Sequence, residues 1–272
     1  MHSLYAESRK YWAVFRIELR QQTTYFWDFV LGNAVIVLFL FVLIQVWQAT
    51  VKPENVAGLR GEHLNWAELI WFLAAAQTLY FAVHTEAQIE IEHDVVSGNI
   101  AVVLARPYDY LMLRFATSMA HTVLSLAVAL PAAVAIAWIV SGTVAVTPLG
   151  AVAFLLAFVM RTALFLALQA IAGLATFWVE KATAFVWILN LLIITFGGGA
   201  VPIGFWPSWA RTLVELTPFP TMMYYPAMLL VRPEPALIGA TLLRAAVWTV
   251  VLGGGTAFIY SRALRRLDVN GG

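Results

Sequence analysis

Four carboxylates fall within nine residues, Glu86, Glu90, Glu92 and Asp94, with His93 among them, in a chain with only fifteen acidic residues. Such a cluster first suggests metal chemistry. Glu90-x-x-His93 has the spacing by which one helix contributes to a carboxylate-bridged metal site. Such sites need a second Glu-x-x-His and further inward glutamates from other helices. No second copy occurs, so no metal site is expected. Catalysis has no better support. There is no G-x-S-x-G elbow and no H-E-x-x-H, and the five histidines (His2, His63, His84, His93, His121) are scattered. No G-x-x-x-x-G-K-[ST] loop occurs, so the chain does not hold ATP in the P-loop manner. No catalytic residue is expected. Work driven by ATP would need another subunit.

A second chemistry is recognition. On a helix Glu86, Glu90 and Asp94 stand at i, i+4 and i+8 on one face, where like charges repel by a few tenths of a kcal/mol per pair. A lone helix gains nothing from that, whereas a helix docking on a basic surface does. "SGN" (Ser97–Asn99) then breaks or turns the helix at Gly98, "IAVVLA" continues, and Arg106-Pro107 closes the segment. The competing reading is a solvated loop carrying ordinary charge.

The elements that position this patch follow from composition. The 272 residues are 62% hydrophobic and 11% charged, against about 45–50% and about 25% in a soluble domain. The natural solvent is lipid. Net charge is +1, which gives no electrostatic case for nucleic acid. Cysteine is absent, which removes disulfides and thiolate sites. The fold class is an all-α integral membrane protein. Apolar runs near the ~20 residues that cross a bilayer predict six transmembrane helices: 29–47, 67–85, 115–140, 150–179, 182–200 and 236–260. With six spans, one side carries ten Lys and Arg (Arg9, Lys10, Arg16, Arg20, Arg106, Arg114, Lys181, Arg262, Arg265, Arg266). The other carries four (Lys52, Arg60, Arg211, Arg232). The positive-inside rule then places both termini and the 86–110 connection in the cytoplasm. Residues 1–28 precede the first span as an amphipathic helix suited to the membrane interface. No linker or soluble insertion appears, so 1–272 reads as one membrane domain.

Polar residues inside the spans are a further signal. Arg161 sits mid-span, where a charge is costly and must face protein or water. Gln169 follows on the same helix, His121 lies on the third span and Asn190 on the fifth. Two roles fit them, lining a translocation path or hydrogen-bonding helix to helix. After the fifth span, Gly197, Gly198, Gly199 and Pro202 end a helix, yet residues 197–235 stay apolar. That pattern predicts an outer re-entrant or interfacial segment, which needs protein cover.

Three stretches carry a resemblance: "EIEHDVVSGNIAVVLARPYDYL", "ALQAIAGLATFWVEKA" and "VPIGFWPSWARTLVELTPFPTMMYYPAMLLV". Gly98, Ile100, Leu104 and Pro107 in the first, and Pro218, Phe219, Tyr225 and Pro226 in the third, are its most specific residues. The chain resembles, over essentially its whole length, the permease subunit of ATP-binding-cassette exporters of the type-2 family, in the bacterial branch of six-span permeases of about this size. It departs in Gly197–Gly199, where the family more often shows Ser-Gly before the proline. The resemblance implies a transport subunit with no cofactor of its own. ATP and Mg would be bound by two copies of a partner ATPase. A second permease, identical or similar, would complete the complex in the bacterial cytoplasmic membrane. It implies that 86–110 is the coupling helix, with Glu86, Glu90, Glu92, Asp94, Gly98, Arg106 and Pro107 at the ATPase. It also implies export of a hydrophobic or amphipathic substrate such as a drug, antibiotic, lipid or glycan. The alternative class is an ATP-independent carrier or channel. Carriers often show inverted repeats and helices broken at the midplane. No repeat is visible, and the break is expected at the outer end.

Overall fold

The computed structural model describes residues 2–24, 26–50, 64–82, 86–179 and 181–270. Lys52, Arg60, His63 and His84 lie outside the described residues. Among those described, every regular element is a helix.

The chain opens with α1 (His2–Thr24) and α2 (Phe26–Thr50). Helix α3 (Trp66–Ala82) starts at a reciprocal capping box. The Glu68 amide donates to Asn65 Oδ1 at 2.9 Å, and the Asn65 amide donates to Glu68 Oε2 at 2.8 Å, satisfying two donors that a helix start leaves free. After α4 (Glu86–Val96) and the five-residue α5 (Ile100–Leu104) comes α6 (Tyr110–Ser141), capped by Asp109, whose side chain accepts from the Met112 amide. It ends at Gly142 in the left-handed region, φ +68°. Thr147 caps α7 (Pro148–Leu174), with Pro148 in the first turn, where its missing N–H costs nothing.

Four helical stretches are long and apolar enough to cross a membrane, within Trp66–Val96, Tyr110–Ser141, Pro148–Phe177 and Pro235–Arg265. Their outward residues, such as Trp138, Ile139, Val152, Val159, Val250 and Phe258, are large, apolar and exposed, so they need lipid or protein around them. Of the other two expected spans, the first lies in α2 (Phe26–Thr50), which is apolar over Ala34–Thr50 among the described residues, and the fifth is the shorter apolar helix Thr183–Phe196. The fifth, expected over 182–200, is α8 (Thr183–Phe196) and stops at Phe196. Fourteen residues rise only about 21 Å.

Packing divides the helices into two groups. Helices α1, α2 and α3 gather on α6, while the last helix, α12 (Pro235–Asn270), packs along α7. Helix α6 scarcely touches α7. Two short helices join the groups: α4 at one end, and α11 (Tyr224–Val231) elsewhere, lying between α3 and α7. The main core is α3, whose Leu69 to Ala76 are all buried, with Phe154, Phe158 and Phe165 of α7 and Met228 and Val231 of α11. A second core sits at the α4 end, where Ile91, Ile100, Val103, Tyr110, Leu174 and Ala263 meet.

Helix α1 runs alongside α6 rather than across it. Lys10 Nζ donates to the Pro107 carbonyl, Tyr11 Oη accepts from the Asp109 amide, and Gln22 Nε2 lies 2.6 Å from His121 Nε2, with Glu18 3.3 Å from the same nitrogen. Eleven residues on α1 therefore match twelve on α6. Trp12 and Ile17 remain exposed.

Candidate functional site

The α4–α5 segment is built as a rigid cap. Two of its carboxylates turn inward. Asp94 is buried and accepts from Tyr110 Oη at 2.9 Å, from Asn99 Nδ2 at 3.0 Å and from Arg114 Nη2; Glu90 accepts from Arg114 Nη1 at 2.5 Å. The Arg114 guanidinium also lies 5.4 Å from the centre of the Tyr110 ring. Burial pushes the Asp94 carboxyl up, but the hydrogen bonds from Arg114, Asn99 and Tyr110 together outweigh it and hold the group below the usual carboxylate range. The basic partner that this acidic face demands is therefore found, for Glu90 and Asp94, one turn into α6 of the same chain.

Glu92 stands apart, 3.4 Å from the Thr183 hydroxyl that donates to it. The side chain of Glu86 lies outside the described residues. Gly98 has φ +73°, a backbone that most side chains resist; it reverses the chain so that Ile100 and Val103 drop into the second core. Arg106 and Pro107 are exposed. The outer surface of the segment is Ile89, His93, Val96 and Val102, exposed and mostly apolar.

Helix α4 sits directly on α7. A Cβ placed on Gly173 would come within 2.9 Å of Ile91 Cβ and 3.1 Å of Gln88 Cα. Neither neighbour is the tip of a flexible chain. Gly173→Ala is expected to lower stability by about 1–3 kcal/mol by pushing α4 off α7, read as a lower thermal midpoint in detergent.

The four polar span residues do not come together. Arg161 is 0% exposed; its Nε donates to the Met222 carbonyl at 3.0 Å and its guanidinium lies 5.1 Å from the centre of the Phe165 ring. Gln169 is buried on the same helix with both amide atoms unpaired. His121 binds α1. Asn190 lines a cavity that includes none of the other three.

The glycine run lies deeper than expected. Gln77 Nε2 donates to the Gly199 carbonyl at 3.0 Å, and Gln77 is eleven residues, about 16 Å, along α3 from its start. The three glycines have two duties. Gly198 has φ +71°. Gly197 and Gly199 leave room for the Met223 side chain, which a Cβ at either would strike. Pro202 then opens a 3-10 turn at Ile203–Phe205, followed by α9 (Ser208–Glu215) and α10 (Phe219–Met222). Helix α10 brings the chain back to Arg161, thirteen residues along α7, and α11 leaves toward Arg232, paired with Glu68 at 2.7 Å at the start of α3. Two helix ends thus meet within the bundle. Their free carbonyls are satisfied by Gln77, by Arg161, and by Trp47 Nε1, which donates to Ala200 at 3.0 Å, the protein cover that broken backbone at this depth requires.

A family model described as ABC-2 family transporter protein matches residues 54–271. The chain belongs to the ABC-2 transporter family. No curated protein matches it. It is a multi-pass membrane permease of an ABC transporter, in a family of transport subunits that implies association with an ABC ATPase. In this ABC-2 permease, sequence reasoning missed Arg114, the residue that holds α4. Its signal was available: a basic residue in the second turn of a helix capped by Asp109, twenty residues after Asp94.

Proposed function

We propose that this permease works in an ATP-driven exporter, docking on separate ATPase subunits through α4 and α5. The observation that carries the reading is the cap itself. It is clamped to α6 by Arg114 and seated on α7 at Gly173, yet it presents Ile89, Val96 and Val102 outward. A segment that receives force from a partner needs both a rigid mount and an apolar contact face. Glu90 and Asp94 serve the mount in this reading, and Glu92, Arg106 and Pro107 border the face.

The complex holds two ATPase copies, which bind ATP and Mg, and a second permease chain. Substrate is hydrophobic or amphipathic. The chain lies in the bacterial cytoplasmic membrane with both termini and α4–α5 on the cytoplasmic side, as the ten-to-four distribution of Lys and Arg supports. The glycine turn Gly197–Gly199 and Pro202 form part of the exit gate.

Tagged permease drawn from native membranes is expected to bring an ATP-binding-cassette ATPase with it, and Val96→Asp, at an exposed position, is expected to lose that ATPase without lowering the thermal midpoint. A wild-type chain that purifies alone, in vesicles whose transport ignores ATP, would overturn the proposal.

A further inference from the structure

A groove of about 420 Å³ lies between α7 and α12, lined by Ile171, Ala175, Trp178, Phe258, Ile259 and Arg262. Its depth follows from helix length. The hydrocarbon of a bilayer takes ~20 helical residues. Counted from Pro148 on α7 and from Pro235 on α12, they end near Leu168 and Gly255. Every lining residue comes shortly after those points, so the groove opens at headgroup level. Trp178, 45% exposed, suits that level, where indole rings gather. Phe258, 61% exposed, reaches outward to the edge of the lipid chains.

The wall is chemically one-sided. None of the six side chains is a carboxylate, an amide or a hydroxyl, so none accepts a hydrogen bond. Arg262 is the one charge among them. It is exposed and has no ion pair among the described residues. Its guanidinium lies 5.0 Å from the centre of the Phe258 ring, a stacking that steadies a long side chain and leaves its N–H groups unpaired. Trp47, Trp71 and Trp206 donate their indole N–H to backbone carbonyls, whereas that of Trp178 meets no acceptor among the described residues. Arg265, one turn further along α12, is also exposed and adds positive potential. A cation would meet repulsion here and no acceptor. An anion with an apolar body finds N–H donors beside an apolar floor.

We propose that this groove holds one anionic phospholipid, its phosphate on Arg262 and Trp178 and an acyl chain over Ile171, Ile259 and Phe258. The lipid is a fixed companion of the fold, not cargo. Binding of this kind needs only that the chain span a membrane, and no ATPase, so it stands or fails apart from the exporter reading. It also has a structural effect. Ala175 belongs to the 3-10 turn Ala175–Phe177, which packs against α4. A lipid held there braces the end of α7 on which α4 is seated.

The test is lipid binding to the full purified chain, followed by native mass spectrometry, with phosphatidylglycerol and phosphatidylcholine of identical acyl chains as probes. The first phosphatidylglycerol is expected to bind about fivefold more tightly than phosphatidylcholine, the scale of one basic group at an anionic headgroup, and to raise the thermal midpoint in detergent. Arg262→Gln is expected to bring the two lipids to parity and to abolish the rise. Arg262→Lys should keep most of both, and Trp178→Leu should lower the preference in part. Arg9→Gln, at an exposed basic residue of α1, controls for general surface charge and should leave the preference unchanged. Equal binding of the two lipids to the wild type overturns the inference. So does a preference that survives Arg262→Gln, or one that falls as far in Arg9→Gln. Displacement of the lipid by an equal concentration of soluble glycerol phosphate assigns the groove to free phosphate and overturns it as well. If Arg262→Gln loses the ATPase and keeps the lipid preference, the groove takes a protein partner instead.

Discussion

Arg114→Met is expected to lower the stability of the purified chain by about 3 kcal/mol and to abolish capture of the ATPase. Arg114 pairs with both Glu90 and Asp94, and Asp94 has only 4% of its side chain exposed. Removing one partner of a buried pair typically costs about 3–5 kcal/mol, because the remaining charge is left without compensation. The lower end applies here, since Glu90 keeps 37% of its side chain in solvent and water screens it. Asp94 would retain Tyr110 and Asn99 as donors, which limits the loss further. The arginine is not replaceable by lysine, because the two carboxylates are met by two nitrogens of one planar fork. Arg114→Lys should therefore fall between wild type and Arg114→Met. Adding Asp94→Asn to Arg114→Met removes the stranded charge and should recover part of the stability. If thermal midpoint and ATPase capture are both unchanged in Arg114→Met, the clamp has no energetic role.

Gly150→Val should be more damaging still, with loss of the folded chain on size exclusion at ordinary temperatures. A Cβ at Gly150 would strike the Leu230 carbonyl oxygen and come within 3.1 Å of the Leu229 oxygen. Both obstacles are backbone, so no rotamer change relieves them. Here α7 and α11 touch main chain to main chain, the close approach that small residues allow in membrane proteins. Since α11 lies between α3 and α7, displacing it opens the principal core. Even Gly150→Ala should cost at least the ~1–3 kcal/mol usual for overpacking. Gly239→Ala is the matched control, because nothing lies within 4 Å of a Cβ there. It should be neutral or slightly favourable in its long helix.

Much of the fold was legible because a bilayer imposes it. Apolar length located α3, α6, α7 and α12, and Pro148, Asp109 and Gly142 mark helix ends by ordinary cap chemistry. The family was legible from three stretches. Depth was not. The glycine run reads as an ending, and nothing in its composition says whether the ending falls at the membrane surface or within the bundle; only Gln77 and Arg161, distant in sequence, settle it. The candidate site was half legible. The spacing of Glu90 and Asp94 pointed to a basic surface on a partner ATPase, whereas the group that pairs with both lies in the same chain, twenty residues beyond Asp94, where sequence spacing does not reveal it. Arg161 fitted two roles, lining a path or bonding helix to helix, because charge within a span is rare. Its hydrogen bond to the Met222 carbonyl gives it a structural duty. Asn190 lines the cavity beside α3, α4 and α7, which depends on which face of α8 turns toward α4.

The division of the helices into two groups has a mechanical consequence. With α6 scarcely touching α7, the groups are joined by α4, by α11 and by the core that α3 shares with α7. Because α3 also shares its core with Phe154, Phe158 and Phe165 of α7, one group cannot move against the other without disturbing that packing. Force delivered to α4 would pass to α7 through the Gly173 contact, and from α7 to α11 at Gly150. A cross-link between α6 and α12 across the cavity bounded by Met112 and Thr249 would test that movement while leaving both joining helices intact.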